Sequence, residues 1–150
     1  MEKILQNVQN KLSEINGLKY IDENWGQLDY YSPNMPVMWP CCLIDINDGD
    51  FSNLGKDLGK KPKERQMGNF ALKIILANLK LGNTSQRAPQ LQKNNGWLIW
   101  KLMQSVHEKL HGFTPGENCS KLIRRSFQRT LRDDGVQEYH ITYLFEARNV

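Results

Sequence analysis

A chain of 150 residues and 17.5 kDa is the size of one ordinary domain, able to bury roughly 68–70% of its unfolded surface without a disulfide or metal. With 39% apolar and 24% charged residues the composition argues against wholesale disorder, and no apolar run approaches the ~20 residues of a membrane-spanning helix. The net charge of +4 hides an asymmetry: Met1 to Gly55 holds 3 basic and 8 acidic side chains, whereas Lys56 to Val150 holds 17 basic and 8 acidic.

The start, Met1-Glu2-Lys3-Ile4-Leu5-Gln6, lacks a basic segment followed by an apolar one, so no cleaved signal peptide is expected. Ile4, Leu5, Val8, Leu12 and Ile15 recur at helical spacing and predict an amphipathic helix stopped by Gly17. Leu18 to Tyr31 follows with Tyr20, Ile21, Trp25 and Leu28, which suits one short strand and its turns. Pro33, Pro36 and Pro40 then forbid a helix.

Cys41 to Ile46 reads as a buried strand. Neighbours in a strand point to opposite faces, so pairing Cys41 with Cys42 would be strained. With Cys119 the cysteines number 3 and include no C-x-x-C, which fits free thiols in a reducing compartment. From Asn47 to Gln66 the chain is rich in Gly, Asp and Lys, and predicts either a mobile loop or an extended hairpin arm. Phe70, Leu72, Ile74 and Leu76 alternate with Ala71, Lys73, Ile75 and Ala77, a strand with period two.

A second polar loop is expected over Gly82 to Asn95. Leu98, Ile99, Leu102, Met103, Val106 and Leu110 then form a helical stripe, flanked by Trp97 and Trp100 and ended by Gly112. Lys121 to Arg132 and Val136 to Arg148 are alternating runs joined at Asp133-Asp134-Gly135, a specific hairpin signal. In the last run Tyr139, Ile141, Tyr143, Phe145 and Ala147 share one face, and Glu138, His140, Thr142 and Glu146 the other. The expected class is α+β: an antiparallel or mixed sheet of four to five strands, one face polar, with two helices on the other and a long exposed loop or arm.

Several constellations invite a chemical reading. His107-Glu108-Lys109-Leu110-His111 fits H-E-x-x-H, in which two histidines one turn apart bind zinc and the glutamate is the base of a hydrolase. The helix ends immediately afterwards, the buried stripe turns both histidines to its edge, and Thr114 and Glu117 stand where a further Gly and His belong. Glu117 could serve as a third ligand, but a solvated helix end is the plainer account. Asp45, Asn47, Gly49 and Asp50 hint at a calcium loop, yet Asp50 and Lys56 occupy the positions that need Gly and Glu. Gly55, Gly59 and Lys60-Lys61 do not complete a phosphate-binding loop.

Positive charge is the stronger signal. Lys56, Lys60, Lys61, Lys63 and Arg65 concentrate on one loop. Lys121, Arg124, Arg125, Arg129 and Arg132 stand in one strand without an acid. Strict alternation sends Arg124 and Arg132 one way and Arg125 and Arg129 the other, beside Ile123, Phe127 and Leu131. Arginine on an apolar side must snorkel out or meet a carboxylate, which marks this strand as an interface. Acidic and basic halves also suit heterologous self-association, which closes into a ring where the rotation permits. No nucleophile–base–acid order or carboxylate pair can be named. A nucleic-acid-binding α+β module using Lys60, Lys61, Arg124 and Arg129 is the alternative, although the aromatics do not interleave with that charge.

Leu102-Met103-Gln104-Ser105-Val106-His107-Glu108-Lys109-Leu110-His111-Gly112-Phe113 resembles the second helix of phage tail-terminator (tail-completion) proteins. The hairpin from Leu122 to Leu131 and Tyr139 to Arg148 is similar to that family's two closing strands. Met35-Pro36-Val37 and Pro40 to Ile46 look like its Pro-preceded first core strand. The resemblance implies one domain over residues 1–150 and a non-enzymatic protein without cofactors or metal. It implies a ring, typically a hexamer, that ends the tail tube and offers the surface on which a DNA-filled head docks. Its partners would be further copies, the tail-tube protein and a head-completion or connector protein, with at most passing DNA contact and no membrane. The protein would be made in the host cytoplasm and reside in the virion. The long basic loop and the Trp97/Trp100 helix depart from the pattern and leave a head–tail connector open. On this reading Arg125 and Arg129 meet Asp22, Glu23 or Asp29 of a neighbouring copy, with Arg124, Lys60, Lys61, Lys63 and Arg65 as further contact residues.

Overall fold

The computed structural model describes residues 1–30, 34–53, 61 and 64–150. It is α+β, with a 5-stranded mixed sheet and helices packed on it. In chain order the elements are α1 (Glu2–Ser13), β1 (Tyr20–Glu23), a 3₁₀ turn (Gln27–Asp29), β2 (Cys41–Asn53), β3 (Gln66–Leu79), α2 (Gln90–Gly96), α3 (Leu98–Leu110), β4 (Ile123–Thr130) and β5 (Val136–Arg148). The strands lie in the order β1-β2-β3-β5-β4. β1 runs parallel to β2, and the remaining pairs are antiparallel.

One sheet face carries the helices. Ile4, Val8 and Leu12 of α1 and Ile99, Leu102, Val106 and Leu110 of α3 pack on Cys42, Ile44, Leu72, Ile74, Leu76, Ile141 and Tyr143. Each fully buried aliphatic side chain there contributes about 1.5–3 kcal/mol. Among the described residues one ion pair links the helices, a surface contact of 2.7 Å between Glu14 at the end of α1 and Lys109 of α3; Glu14 also lies 3.0 Å from Lys11 of α1. Solvent screens them, so apolar burial holds the helices down. α1 ends at Ser13 rather than Gly17. Gly17 instead sits in the connection that follows, with φ +108°.

The other face, expected to be polar, is apolar at one end. Cys41, Leu43, Ile75, Ala77 and Val136 are buried there under Leu28 of the 3₁₀ turn and Met35. The side chain of Arg132, just beyond β4, locks this lid to the β4–β5 hairpin. Its Nη2 donates to the Leu28 carbonyl at 2.6 Å and to Asp134 at 2.7 Å, and Nη1 donates to Glu138 at 2.8 Å. Burial alone would raise the Glu138 carboxyl, but hydrogen bonds from His140 and Arg132 outweigh it and hold it below the ordinary value. Gly135, at φ +77°, makes the turn as its Asp-Gly signal requires.

Of the two long polar stretches, the first takes the hairpin-arm alternative and the second, expected to be a loop, runs into a helix. β2 continues past Ile46 to Asn53 and β3 starts at Gln66, so the described part of Asn47–Gln66 forms the hairpin arm rather than the loop. Residues 54–60 and 62–63 fall outside the described residues. The stretch Gly82–Asn95, read as loop, contains most of α2, which begins directly after Pro89. A helix with only Gly96 buried has no apolar stripe for periodicity to find.

α2 comes so close to the preceding turn that Gly82 has no room for a side chain. A Cβ there would lie 2.3 Å from the Gln92 carbonyl oxygen and 2.6 Å from the Gly96 nitrogen. Backbone cannot step aside as a side-chain tip can. Gly82→Ala should therefore destabilise the fold by about 1–3 kcal/mol in urea unfolding, whereas an unchanged midpoint would mean that α2 shifts freely.

Candidate functional site

The strand order places β1 and β4 at opposite edges of the sheet. Each therefore has one side without a strand partner, and the charge asymmetry of the sequence falls on these edges. β4 carries Arg124, Arg125 and Arg129 with no acid, and every one of its residues but Thr130 is exposed. The strand is shorter than the run Lys121 to Arg132 that predicted it, because the segment ahead of it docks on the end of α3. Gly112 N–H donates to the Leu122 carbonyl at 2.8 Å, and Leu122 N–H to the Phe113 carbonyl at 2.8 Å.

The arginines do not alternate as expected. A bulge between Arg124 and Ser126 leaves Arg125 without an opposite residue, while Arg124 pairs with Tyr143 and Ile123 with Leu144. Opposite residues share a face, so Arg124 lies on the helix side with Phe127 and Arg129, and Ile123 lies on the far side. One inserted residue inverts the parity of what precedes it. Arg129 pairs with Tyr139, its guanidinium 5.9 Å from the ring centroid, within cation–π reach. Arg132, beyond the strand, is taken up by the hairpin network and is not a surface cation of β4.

At the acidic edge, Asp22 is committed internally. One carboxylate oxygen accepts from Tyr20 Oη at 2.7 Å, Trp25 Nε1 at 3.2 Å and Gln27 Nε2 at 3.2 Å; the other accepts from Glu23 N–H at 2.8 Å. Burial pushes this carboxyl up, but the hydrogen bonds prevail and keep it below the ordinary value. Glu23 is exposed. With Glu2, Leu5, Gln6, Gln9, Asp22 and Ile44 it lines a notch of about 240 Å³ between α1 and β1, with no Lys or Arg among the described residues that line it. Asp29 is exposed in the 3₁₀ turn, which Gln27 ties to Asp22 and Glu23 of β1 and the Leu28 carbonyl ties to Arg132 of the β4–β5 hairpin. Among the arm's cations Lys61 is exposed and Arg65 half-buried, and Lys60 and Lys63 lie outside the described residues.

The H-E-x-x-H histidines lie side by side, but His111 and Glu108 are engaged elsewhere. His111 Nδ1 accepts the Arg124 N–H at 3.1 Å, and Glu108 accepts from Gln104 Nε2 at 2.9 Å. The two imidazole centroids are 4.7 Å apart, and Glu117 is exposed. Among the described residues no three His, Cys, Asp or Glu gather closely enough to hold a metal ion. Burial first, then the charge of Arg124 and the proximity of His111, hold His107 below the ordinary histidine value. The pair belongs to the joint between α3 and β4.

Two features escaped the sequence reading. Trp100 stacks edge-on to Phe127 at 6.1 Å and lies 5.0 Å from Tyr139, so an aromatic cluster continues from α3 onto β4. The flanking of the helical stripe by Trp97 and Trp100 was its signal. A groove of about 880 Å³ also crosses the bare end of the far face, over Ala71 and Leu144, with Asp48, Asp50 and Glu146 facing Lys121 and Arg125. Reading Asp48 and Asp50 as loop residues concealed it.

Among solved structures the chain is similar to one in the virion of a native gene transfer agent particle, with TM-score 0.57 and 7% sequence identity. The match covers 96% of this chain and 93% of that one, so the shared feature is the whole fold. No family model matches the chain, and no curated protein matches it by sequence.

His107 offers a pH test of the α3–β4 joint. A histidine whose folded value is depressed contributes stability that is present above the unfolded value of about 6.5 and is lost as pH falls through the folded value. Urea midpoints should therefore drop as pH is lowered from about 7 to 5, and His107→Gln should flatten that part of the profile. A profile identical in the variant would remove His107 from the joint.

Proposed function

We propose that this chain is a non-enzymatic structural subunit of a phage-like virion, a single domain that forms a ring, ends the tail tube and joins tail to head. The observation that carries the reading is the pair of opposed sheet edges, one whose strand has arginines and no acid, the other with an acidic notch that no described Lys or Arg lines. A copy with complementary sides at opposite edges makes the same head-to-tail contact with each neighbour, which closes into a ring when the rotation permits. Sharing its fold over nearly its whole length with a chain of a gene transfer agent virion supports the same role.

In the ring, most simply a hexamer, Arg125 and Arg129 face the acidic edge of the next copy. Glu23 is the better partner there, because it is exposed on the edge strand itself, whereas the Asp22 carboxylate is already hydrogen-bonded within its own chain and Asp29 belongs to the 3₁₀ turn. The flat ends of the ring would meet the tail-tube protein on one side and a head-completion or connector protein on the other. The hairpin arm formed by the outer ends of β2 and β3, up to the Asn53–Gln66 pair, extends the sheet toward one of these partners.

The purified protein should scatter light as a multiple of 17.5 kDa. Raising salt should reduce that mass, since the contact is between charges of opposite sign. The double variant Arg125→Glu, Arg129→Glu should run as the monomer while keeping its far-ultraviolet circular dichroism. Added to polymerising tail-tube protein, the parent should arrest growth and the variant should not. A variant of unchanged mass would dispose of these arginines as ring contacts.

A further inference from the structure

Large exposed aromatics concentrate where α3 meets β4. Trp100 is 45% and Phe127 54% exposed, and Trp97 adjoins them at 43%. They are not loose. Trp100 packs against Phe127 and Tyr139, and Arg129 lies over Tyr139 on the same helix side of the edge strand. Trp, Tyr and Arg are the residues that most often anchor protein interfaces, and rings already held in place lose little freedom on binding. The acidic notch at the opposite edge has the complementary form: carboxylates of Glu2 and Glu23 at its rim and Leu5 and Ile44 as apolar wall.

Both surfaces lie on the same side of the sheet. Phe127 and Arg129 pair with Ile141 and Tyr139, whose side chains face the helices; Glu23 pairs with Ile44, which faces them too. Neighbours related by rotation about a ring axis keep the same side outward, so the patch of one copy can meet the notch of the next without either being turned over. Resting on the ring reading, we infer that the Trp100–Phe127–Arg129 patch of one copy seats in the Glu2/Glu23 notch of the next, Arg129 pairing with the carboxylates and the aromatic rings excluding water around the pair. The occupant is a second copy of this chain, chosen by complementary charge and by the shared side of the sheet.

The test is complementation by mixing. Phe127→Ser, Arg129→Glu and the double variant Glu2→Lys, Glu23→Lys each change exposed residues, and unchanged thermal melts would verify their folds. Each charge-reversed chain alone should weaken self-association roughly thirtyfold or more, the loss typical of breaking a desolvated charge pair, and Phe127→Ser should weaken it by about as much, the loss typical of truncating an aromatic anchor. Mixed in equal amounts, Arg129→Glu and the Glu2→Lys, Glu23→Lys chain should recover the parent mass, because every patch then finds a notch of opposite sign. Variants that keep the parent mass, or charge-reversed chains that stay apart on mixing, overturn this seating while leaving a ring built on other contacts intact. A parent chain that is monomeric at every concentration removes the ring reading itself, and this inference with it.

Discussion

The double pairing of β3 sets where everything else in this molecule can lie. On one side it is bonded to β2 from Cys41–Ala77 to Asn53–Gln66, and on the other to β5 from Met67–Arg148 to Leu79–Val136. With both sides of β3 occupied, its even-numbered residues Phe70, Leu72, Ile74 and Leu76 must all face the helices, and a one-residue slip would expose the whole set. The short β1 and the bulged β4 are left as edges, and shortness and bulging are two ordinary ways of making an edge unattractive to stray strands. Charge supplies a third, since a row of arginines repels its own kind while admitting an acidic neighbour.

The sequence made the repetitive parts of this fold legible. β5 alternates between buried and more exposed residues from Tyr139 to Arg148, and the α3 stripe is uninterrupted, so both emerge with their limits nearly as expected. What stayed hidden lacks periodicity. α2 buries only a glycine; the lid over the far face rests on Leu28 of the 3₁₀ turn and on Met35, which with Val37 and Trp39 belongs to an apolar, proline-broken stretch of no regular period. The outer part of β2 alternates Asp48, Gly49, Asp50, Phe51 and Ser52, a composition that local preference assigns to turns and that only pairing with β3 turns into strand. The arginine-rich strand was expected to be an interface and proves to be an exposed edge, but the side each arginine takes depends on a bulge, which leaves no mark in composition. The acidic residues were harder still: Asp22 and Glu23 are neighbours in sequence, yet one is sealed in by Tyr20, Trp25 and Gln27 while the other stays exposed.

Charged groups in this chain divide into those that hold the monomer and those that remain at its surface. Arg132, Asp134, Glu138 and His140 form one half-buried network that closes the hairpin over the 3₁₀ turn. Removing one member would strand the others away from water, and the cost would fall on folding. Arg124, Arg125 and Arg129, only a few residues away, carry the same chemistry on an exposed edge, where their contribution to the isolated monomer is small. On the proposed reading their energy is reserved for association, and a desolvated contact with a second copy is where it would be realised.

The two bulges, at Asn47 in β2 and Arg125 in β4, flank a single rung of the sheet, the Leu72–Tyr143 pair. Each is an extra residue that the ladder steps over without changing which way its neighbours point, as Asp48 and Ser126 both resume the far side directly afterwards. An alignment between this chain and a remote relative therefore needs room for a one-residue gap inside two strands, where gaps are ordinarily refused. A relative shorter by one at either place would keep its inward and outward residues unchanged, and at 7% identity that freedom decides whether equivalent positions are recognised at all.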